Sequence, residues 1–545
     1  MTPEITPEIR KSLEVQAILN SYLELGKNFE NPPEVELKLH SQTPDGEEDV
    51  TLRDVVVTTA VQCYAPGSAK MKSRVDEKSN AIAQSTLAAG HHTTRMHTSF
   101  TWHLRGVSRH LTHDIFHDNP FYNSEQQSQR YVEAKKGNYL VPANLTTEQR
   151  TFFLEAADYA NNVYSKLLEI LRPEVERRIR QMYPTGGWNV ESTKSRLENK
   201  VGKICQEIAR YALPISQKTT YYHTLSELQL LRLFRASRLS NMNDESRFVI
   251  ARMITEVAKV DPTIYQELDL PVEPLGMPAT SSSDILKQKS FFDAKLEGQN
   301  SILLNMTQGA DEILIQSARL VFGLPEESIS DEQVLALLLD PKNNLLLADV
   351  YDVGMMDPLT QSLRQVNVTF MTKLSHTADS QRQRHRRTPG VTPPIQATYD
   401  GKADYITPLI IKENSEIKEV YDHIMTQIYQ NVDQAIAMGV PIEHAVTLLP
   451  NAHTLRIIES GDLFDWAHRL KQRLCLLAQE EIFFVSVDQA EKITERLPHA
   501  GQLLMAPCGT RKHAGIRPRC PEGDRWCGQP VFQWQLDKYK EARLI

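Results

Sequence analysis

The sequence is poor in the features that mark secreted, membrane-spanning and nucleic-acid-binding proteins. Six cysteines in 545 residues are too few for the disulfide framework of a secreted domain. The absence of any run of about eighteen apolar residues excludes a membrane-spanning helix, and a net charge of -8 provides no overall basic field for nucleic acid. The first residues, MTPEITPEIRKSLEVQ, lack the apolar core and basic flank of a signal peptide. We therefore expect a cytoplasmic protein in which any anion binding is local.

The length and the order of features along the chain predict a duplicated architecture. A chain of 545 residues exceeds the size at which a single core keeps growing, so two or more domains are expected. A segment rich in proline and serine near the midpoint, LDLPVEPLGMPATSSSD, predicts a linker. On either side of it the same features follow in the same order: a helix of small residues, a β-rich segment, a polar motif region, NYLVP or DYITP, an amphipathic helix, ARYALP or AVTLLP, and a long amphipathic helix.

The predicted fold class is α/β in the broad sense (α+β), with two similar domains that each pack a small sheet with helices. The predicted boundaries are 1–267 for the first domain, 268–290 for the linker, 291–500 for the second domain and 501–545 for a cysteine-containing tail.

Two separated polar stretches could bind an anion. Arg384, His385 and Arg386 place two permanent cations around a titratable donor, and arginine forks match the oxygens of a phosphate. Ser128 and Arg130, in SQRY, add a hydroxyl and another fork. On composition alone, a solvated basic loop is the favoured explanation of the first stretch, and a polar helix start explains the second as well as a functional role does.

Short motifs occur in a consistent order in both halves. The first half contains GHHT at 90, HTSFTW at 97, SR at 108, SQRY at 128 and ARYALP at 209. The second half contains SH at 375, SQ at 380, RHR at 384, LLPNA at 448 and HRLKQRLCLLAQEEI at 468. Each half resembles the flavin-dependent thymidylate synthases, a family marked by Arg-His-Arg followed by Ser-x-Arg-Tyr. The resemblance covers most of the chain.

The two halves have lost complementary parts of that pattern. The first half has His117, Asp118 and Asn119 in place of Arg-His-Arg, and the second has PPIQA in place of Ser-x-Arg-Tyr. The first half keeps Arg210 where the second has Val446, and the second keeps Arg473 where the first has Ser237. Because the family assembles its site between subunits, we expect one composite site built from both halves and one dead site.

The resemblance implies an enzyme that methylates dUMP to dTMP, with FAD, methylenetetrahydrofolate and NADPH. It implies that Arg473 and Ser128 are catalytic. The residues implied to bind FAD are Arg384, His385, Arg386, His97 and His468. The residues implied to bind the nucleotide are Gln381, Arg384, Gln126, Ser128, Arg130, Arg210 and Arg473. A homodimer of such chains would form a pseudo-tetramer with no membrane partner.

Two further questions stay open from the sequence. The same scaffold could modify another pyrimidine or nucleic acid, or it could be a non-catalytic nucleotide-binding protein. The tail could bind structural zinc or contain reduced, packed cysteines, and a disulfide is less expected in the cytoplasm. The zinc ligands would be Cys508, His513, Cys520 and Cys527.

Overall fold

The computed structural model describes residues 7–41, 50–71, 77–118, 121–183, 191–239, 242–275 and 281–545. In the first half the helices and strands are α1 (Pro7–Glu24), β1 (Glu34–His40), α2 (Leu52–Gln62), α3 (Glu77–Ala88), β2 (Ser99–Ser108), α4 (Arg109–Asp118), β3 (Asn123–Gln126), α5 (Thr147–Met182), α6 (Glu191–Ala209), β4 (Lys218–Ser226), α7 (Glu227–Arg235), α8 (Asp244–Ala258) and α9 (Ile264–Glu267).

The second half repeats this plan and adds the tail. Its elements are α10 (Ser282–Leu296), β5 (Ser301–Met306), α11 (Ala310–Phe322), α12 (Asp331–Leu339), β6 (Asn367–Ser375), α13 (His376–Arg382), β7 (Gly390–Val391), α14 (Leu409–Lys412), α15 (Ser415–Ala437), α16 (Ile442–Ala445), β8 (Thr454–Asp462), α17 (Leu463–Arg473), α18 (Glu480–Arg496), α19 (Pro507–His513) and α20 (Lys538–Ala542).

Each half contains one four-stranded antiparallel sheet, and the two sheets have the same strand order. The orders are β1-β2-β4-β3 and β5-β6-β8-β7. Phe100, Trp102 and Leu104 alternate along β2 and are buried with α8 against one face of the sheet. The predicted fold class is confirmed: two similar domains, each a small sheet packed with helices.

A pseudo-two-fold junction joins the halves through their backbones. Ile215 N–H donates to the Leu449 carbonyl at 3.0 Å, and Asn451 N–H donates to the Leu213 carbonyl at 2.8 Å. These bonds relate ARYALP to its counterpart AVTLLP, and a bridge between Pro214 and Pro450 lies between them. The motifs on either side are therefore fixed relative to each other within one chain.

Two details differ from the sequence-based expectation. A strand follows the junction in each half, β4 in the first and β8 in the second, where a long helix was expected. Residues 276–280 of the predicted linker lie outside the described part of the chain. The end of the predicted linker is helical instead: α10 begins at Ser282 and packs on the second half, where Lys289 Nζ lies 3.1 Å from Asp400 Oδ1. Within the described ranges, every helix is too short or too polar to cross a bilayer.

Candidate functional site

A cavity of about 1000 Å³ lies where the two halves and the tail meet. Arg130 and Glu207 line it from the first half, Arg473 and Leu477 line it from the second, and Cys508 lines it from the tail. The cavity is therefore formed only when both domains are present.

Arg130 crosses from the first half to the second. Ser128 begins a turn in which its carbonyl accepts from the N–H groups of Tyr131 and Val132, and its Oγ accepts from Arg130 N–H at 3.2 Å. The Arg130 side chain donates to the Glu207 carboxylate, and its Nη2 donates to the Leu477 carbonyl at 2.6 Å. Its guanidinium also lies 5.5 Å from the centre of the Tyr131 ring. The SQRY turn thus holds a cation at the domain boundary.

Arg473 carries a positive charge into the same cavity from the last turn of α17. Its Nε donates to His385 Nε2 at 2.7 Å, and its Nη2 donates to the Gln381 carbonyl at 3.0 Å. Among the described residues, no carboxylate lies within 4.0 Å of it. Burial, followed by the charges of Arg469 and Arg130, lowers the pKa of Arg473 to about 9. A cation held without a counter-ion favours the binding of an anion.

The neighbouring Arg469, one turn earlier on α17, has a different environment. It donates to both oxygens of Glu459, at 2.6 and 3.1 Å, and both side chains are buried. Arg382 also lies near Glu459, at 3.5 Å. These buried ion pairs fix α17 and α13 to β8, so they support the site without facing the cavity.

The Arg-His-Arg segment faces a second cavity of about 620 Å³. Arg384 donates to the Ser124 carbonyl at 2.7 Å and to Glu125 at 3.1 Å, which ties this segment to β3 of the first half. The Arg386 guanidinium lies 4.8 Å from the centre of the Tyr122 ring. His468 lines both this cavity and the larger one, so the two adjoin.

Behind the lining residues, polar atoms are buried without partners. Arg210 is 4% exposed; its Nε donates to the Glu207 carbonyl at 3.3 Å, but its Nη2 has no partner in the described part of the chain. Gln126 Nε2 is likewise buried and unpartnered there. Buried donors of this kind are rare unless a ligand or water accepts from them.

The remaining predicted site residues have varied positions. His385 is buried beside Arg473, and burial and that charge hold its pKa well below the usual value. Gln381 contacts Arg473 rather than lining a cavity, and His97 is exposed and lies outside both cavities. His468 Nδ1 lies 3.2 Å from an Asp352 carboxylate oxygen.

The four tail residues predicted as zinc ligands are not gathered into one coordination site. In the described ranges, no three of their ligand atoms approach one another within 4.8 Å. Three of them, Cys508, Cys520 and Cys527, instead line the large cavity.

The pseudo-symmetric counterpart of the large cavity has almost no volume. Glu443, the counterpart of Glu207, lines a space of about 20 Å³, which Phe29 and Leu140 also line. Ser237, the counterpart of Arg473, is fully buried and hydrogen-bonded to the Tyr22 hydroxyl at 3.1 Å. The pair of domains is therefore strongly asymmetric at its two equivalent positions.

Two residues of this site were missed by sequence reasoning. Glu207 is the ion partner of Arg130. Gln479 Nε2 donates to the Tyr211 hydroxyl across the halves, and its backbone N–H donates to Gln381 Oε1 at 3.4 Å within the second half. Glu207 lies on α6, one turn before Arg210, which directly follows that helix. Gln479 immediately precedes α18, in the AQEEI motif. A polar residue at helical spacing from a site arginine was the available signal.

Known proteins are similar to this chain over one half or over both halves. The family model described as "Thymidylate synthase complementing protein" matches residues 45–263 and again 302–499. A flavin-dependent thymidylate synthase of Clostridium tetani is 30% identical over 237 residues, which cover 43% of this chain and 86% of that protein. The one of Nitratidesulfovibrio vulgaris is 26% identical over 253 residues, which cover 45% and 90%. A solved structure, the UMP/dUMP methylase PolB of Streptomyces cacaoi bound with 5-Br dUMP, shares 18% identity with a TM-score of 0.30, covering 43% of this chain and 93% of that one.

Proposed function

Because the chain belongs to the flavin-dependent thymidylate synthase family, which it matches twice, we propose that it methylates dUMP to dTMP at one composite site formed by its two halves. Membership of this family makes it a flavin-dependent methyltransferase of nucleotide biosynthesis. The observation that carries the composite site is the approach of Arg130 and Arg473, from different halves, to one cavity.

The nucleotide belongs in the larger cavity. Its phosphate would meet Arg130 and Arg473, and the unpartnered Nη2 of Arg210 supplies a third cation close behind. Arginine forks bind phosphate oxygens through paired, charge-assisted hydrogen bonds. Arg473 would also stabilise negative charge that develops on the pyrimidine ring, because its own charge is not neutralised by a carboxylate.

The adjoining cavities fit the FAD that the family requires. Arg384 and His385 line the smaller cavity together with Tyr122, and His468 connects it to the larger one. When bound, the flavin would supply the redox chemistry that links NADPH and methylenetetrahydrofolate to the nucleotide. The chain itself would contribute binding, orientation and positive charge. Arg384, His385, Arg386 and His468 would hold the cofactor, and Gln381 and Ser128 would hold Arg473 and Arg130 in place.

The asymmetry supports one working site in each chain. The counterpart space of about 20 Å³ has room for about one water molecule. Ser237, which takes the place of Arg473 in that half, is buried and offers no charge to a phosphate. Two chains could still assemble as a homodimer with four domains, the pseudo-tetramer that the family resemblance implies.

The test combines the absorption spectrum with release of tritium from 5-labelled dUMP. The wild-type protein should be yellow or take up FAD, and it should release tritium when NADPH and methylenetetrahydrofolate are added. Arg384→Ala should lose flavin, whereas Arg130→Ala should keep flavin and lose tritium release by about a hundredfold or more. Arg177→Ala, an exposed arginine on α5 that pairs with Glu174, is the matched control and should behave as the wild type.

A colourless protein that FAD does not reconstitute would contradict the flavin assignment. Tritium release retained within twofold in both Arg384→Ala and Arg130→Ala would contradict the composite site.

A further inference from the structure

A buried cluster outside the two cavities brings together two histidines of the first half and one aspartate of the second. His113 and His117 lie four residues apart on one face of α4, and Asp379 lies on α13. His117 Nε2 is 3.0 Å from Asp379 Oδ2, and His113 Nδ1 is 3.4 Å from the same oxygen. All three side chains are 9% exposed or less.

The far nitrogen of each ring lies near a backbone carbonyl. His117 Nδ1 lies 2.6 Å from the His113 carbonyl, and His113 Nε2 lies 3.5 Å from the Pro393 carbonyl, at the limit of a hydrogen bond. A carbonyl only accepts, so His117 Nδ1 carries a hydrogen, and in the neutral ring His117 Nε2 is a bare acceptor that faces Asp379 Oδ2. His113 Nδ1 faces the same oxygen.

Asp379 Oδ1 already accepts from the Arg382 guanidinium at 2.7 Å, which leaves Oδ2 for the two histidines. A proton on one imidazole ring joins only that ring to Oδ2. A metal ion satisfies all three ligand atoms at once.

The distances and the surroundings match a zinc site. Zinc–nitrogen and zinc–oxygen bonds of about 2.0–2.2 Å at tetrahedral angles separate neighbouring ligand atoms by about 3.3 Å. The two separations of 3.0 and 3.4 Å lie on either side of that value, and the three ligand atoms are all within 4.8 Å of one another. Histidine ligands typically donate their second N–H to a carbonyl, and ligating carboxylates are themselves hydrogen-bonded. His117 meets the first condition at 2.6 Å, and the bond from Arg382 to Asp379 meets the second.

We propose that His113, His117 and Asp379 bind one divalent transition-metal ion, best matched by zinc, that links the first half to the second beside the Arg-His-Arg segment. Imidazole and carboxylate ligands in tetrahedral geometry suit zinc, and a water molecule would complete the coordination. Because α13 leads directly into residues 384–386, the ion would hold that segment in position.

The test measures metal content, spectrum and thermal stability of the full-length chain. The purified protein should contain about one zinc per chain, and His117→Gln should lower this content at least tenfold. His91→Gln, an exposed histidine, and Cys508→Ser should leave it unchanged. Protein loaded with Co²⁺ should show visible bands of a tetrahedral ion and no thiolate-to-cobalt charge-transfer band.

A second measurement covers the case in which His117→Gln does not fold. The wild-type melting temperature should fall when a chelator removes the metal and recover when zinc is added back, because a ligand bound only by the folded state stabilises it. A chain that takes up neither zinc nor cobalt would overturn the proposal and leave an imidazolium–carboxylate pair. Metal lost from Cys508→Ser but retained by His117→Gln would overturn it in favour of the tail.

Discussion

At the scale of single residues, Arg469 and Arg473 show how similar side chains serve different purposes. They lie one turn apart on α17, but only Arg469 is paired, with Glu459. Arg473 directs its charge toward the cavity and is held by neutral groups alone. An uncompensated, partly buried cation costs stability in the unliganded protein and gains a partner when an anion binds.

We therefore predict opposite effects of Met substitution at the two positions. Arg473→Met should raise the free energy of unfolding of the ligand-free protein by roughly 1 kcal/mol and abolish the rise in melting temperature that dUMP causes. Arg469→Met should lower the free energy of unfolding by about 3–5 kcal/mol, because Glu459 would stay buried without its closest cationic partner. Urea unfolding with and without dUMP measures both. Equal destabilisation by the two variants would show that Arg473 is a structural residue.

The sequence located these arginines through motif order, but it did not reveal their partners. Glu459 lies on β8, ten residues before Arg469, and the two side chains meet because α17 packs back on that strand. Arg130 pairs with Glu207, which is 77 residues away. Both pairs form through tertiary packing, and neither composition nor periodicity specifies which residues will meet. The same applies to the cluster of His113, His117 and Asp379.

At the scale of elements, close packing of β8 against the Arg-His-Arg segment positions the smaller cavity. Ser460 N–H donates to the Pro389 carbonyl at 3.0 Å, and a Cβ on the adjacent Gly461 would lie 2.9 Å from Thr388 Cγ2 and 3.3 Å from the Arg387 carbonyl. The absence of a side chain at Gly461 thus lets the strand approach the loop that carries the cations.

We predict that Gly461→Ala displaces this loop. The substitution should destabilise the protein by about 1–3 kcal/mol through overpacking and weaken FAD binding. Gly202→Ala is the matched control, because its Cβ on α6 would meet no atom within 4 Å and should stabilise the helix by about 0.5–1 kcal/mol. Thermal unfolding and FAD titration measure both effects. Normal FAD affinity in Gly461→Ala would mean that the loop does not contact the cofactor.

The sequence predicted the helices that correspond to α2, α5, α11 and α15 and the β-rich segments that contain β2 and β6, but it missed several strands. The amphipathic helix near residue 417 was read from its apolar spacing and is part of α15. Strand β4, KTTYYHTLS, alternates buried and more exposed residues, yet it lay where a long helix was expected. Strand β7 has two residues, too few for any periodicity. Short strands of this kind are defined by their neighbours in the sheet rather than by their own residues.

At the scale of the whole molecule, duplication followed by divergence has left one enlarged cavity and one nearly closed one. The backbone junction between residues 211–216 and 447–452 preserves the symmetry, whereas the side chains around it do not. The complementary motif losses in the sequence indicated this division. Whether the motifs meet within one chain or between chains could not be read from the sequence, because both arrangements satisfy the same motif pattern.

The final prediction concerns complementation between inactive chains. Arg130 Nη2 donates to the Leu477 carbonyl of its own chain, and Arg473 lines the same cavity. In the proposed composite site, Arg130→Ala and Arg473→Ala therefore each damage the one site of the chain that carries them. Mixing the two purified variants, after partial unfolding and refolding to allow exchange of chains, should give no more tritium release from 5-labelled dUMP than the variants give separately. Wild-type protein taken through the same procedure must keep its activity. Recovery of activity in the mixture would mean that Arg130 of one chain acts with Arg473 of another, and the cavity within one chain would then not be the working site.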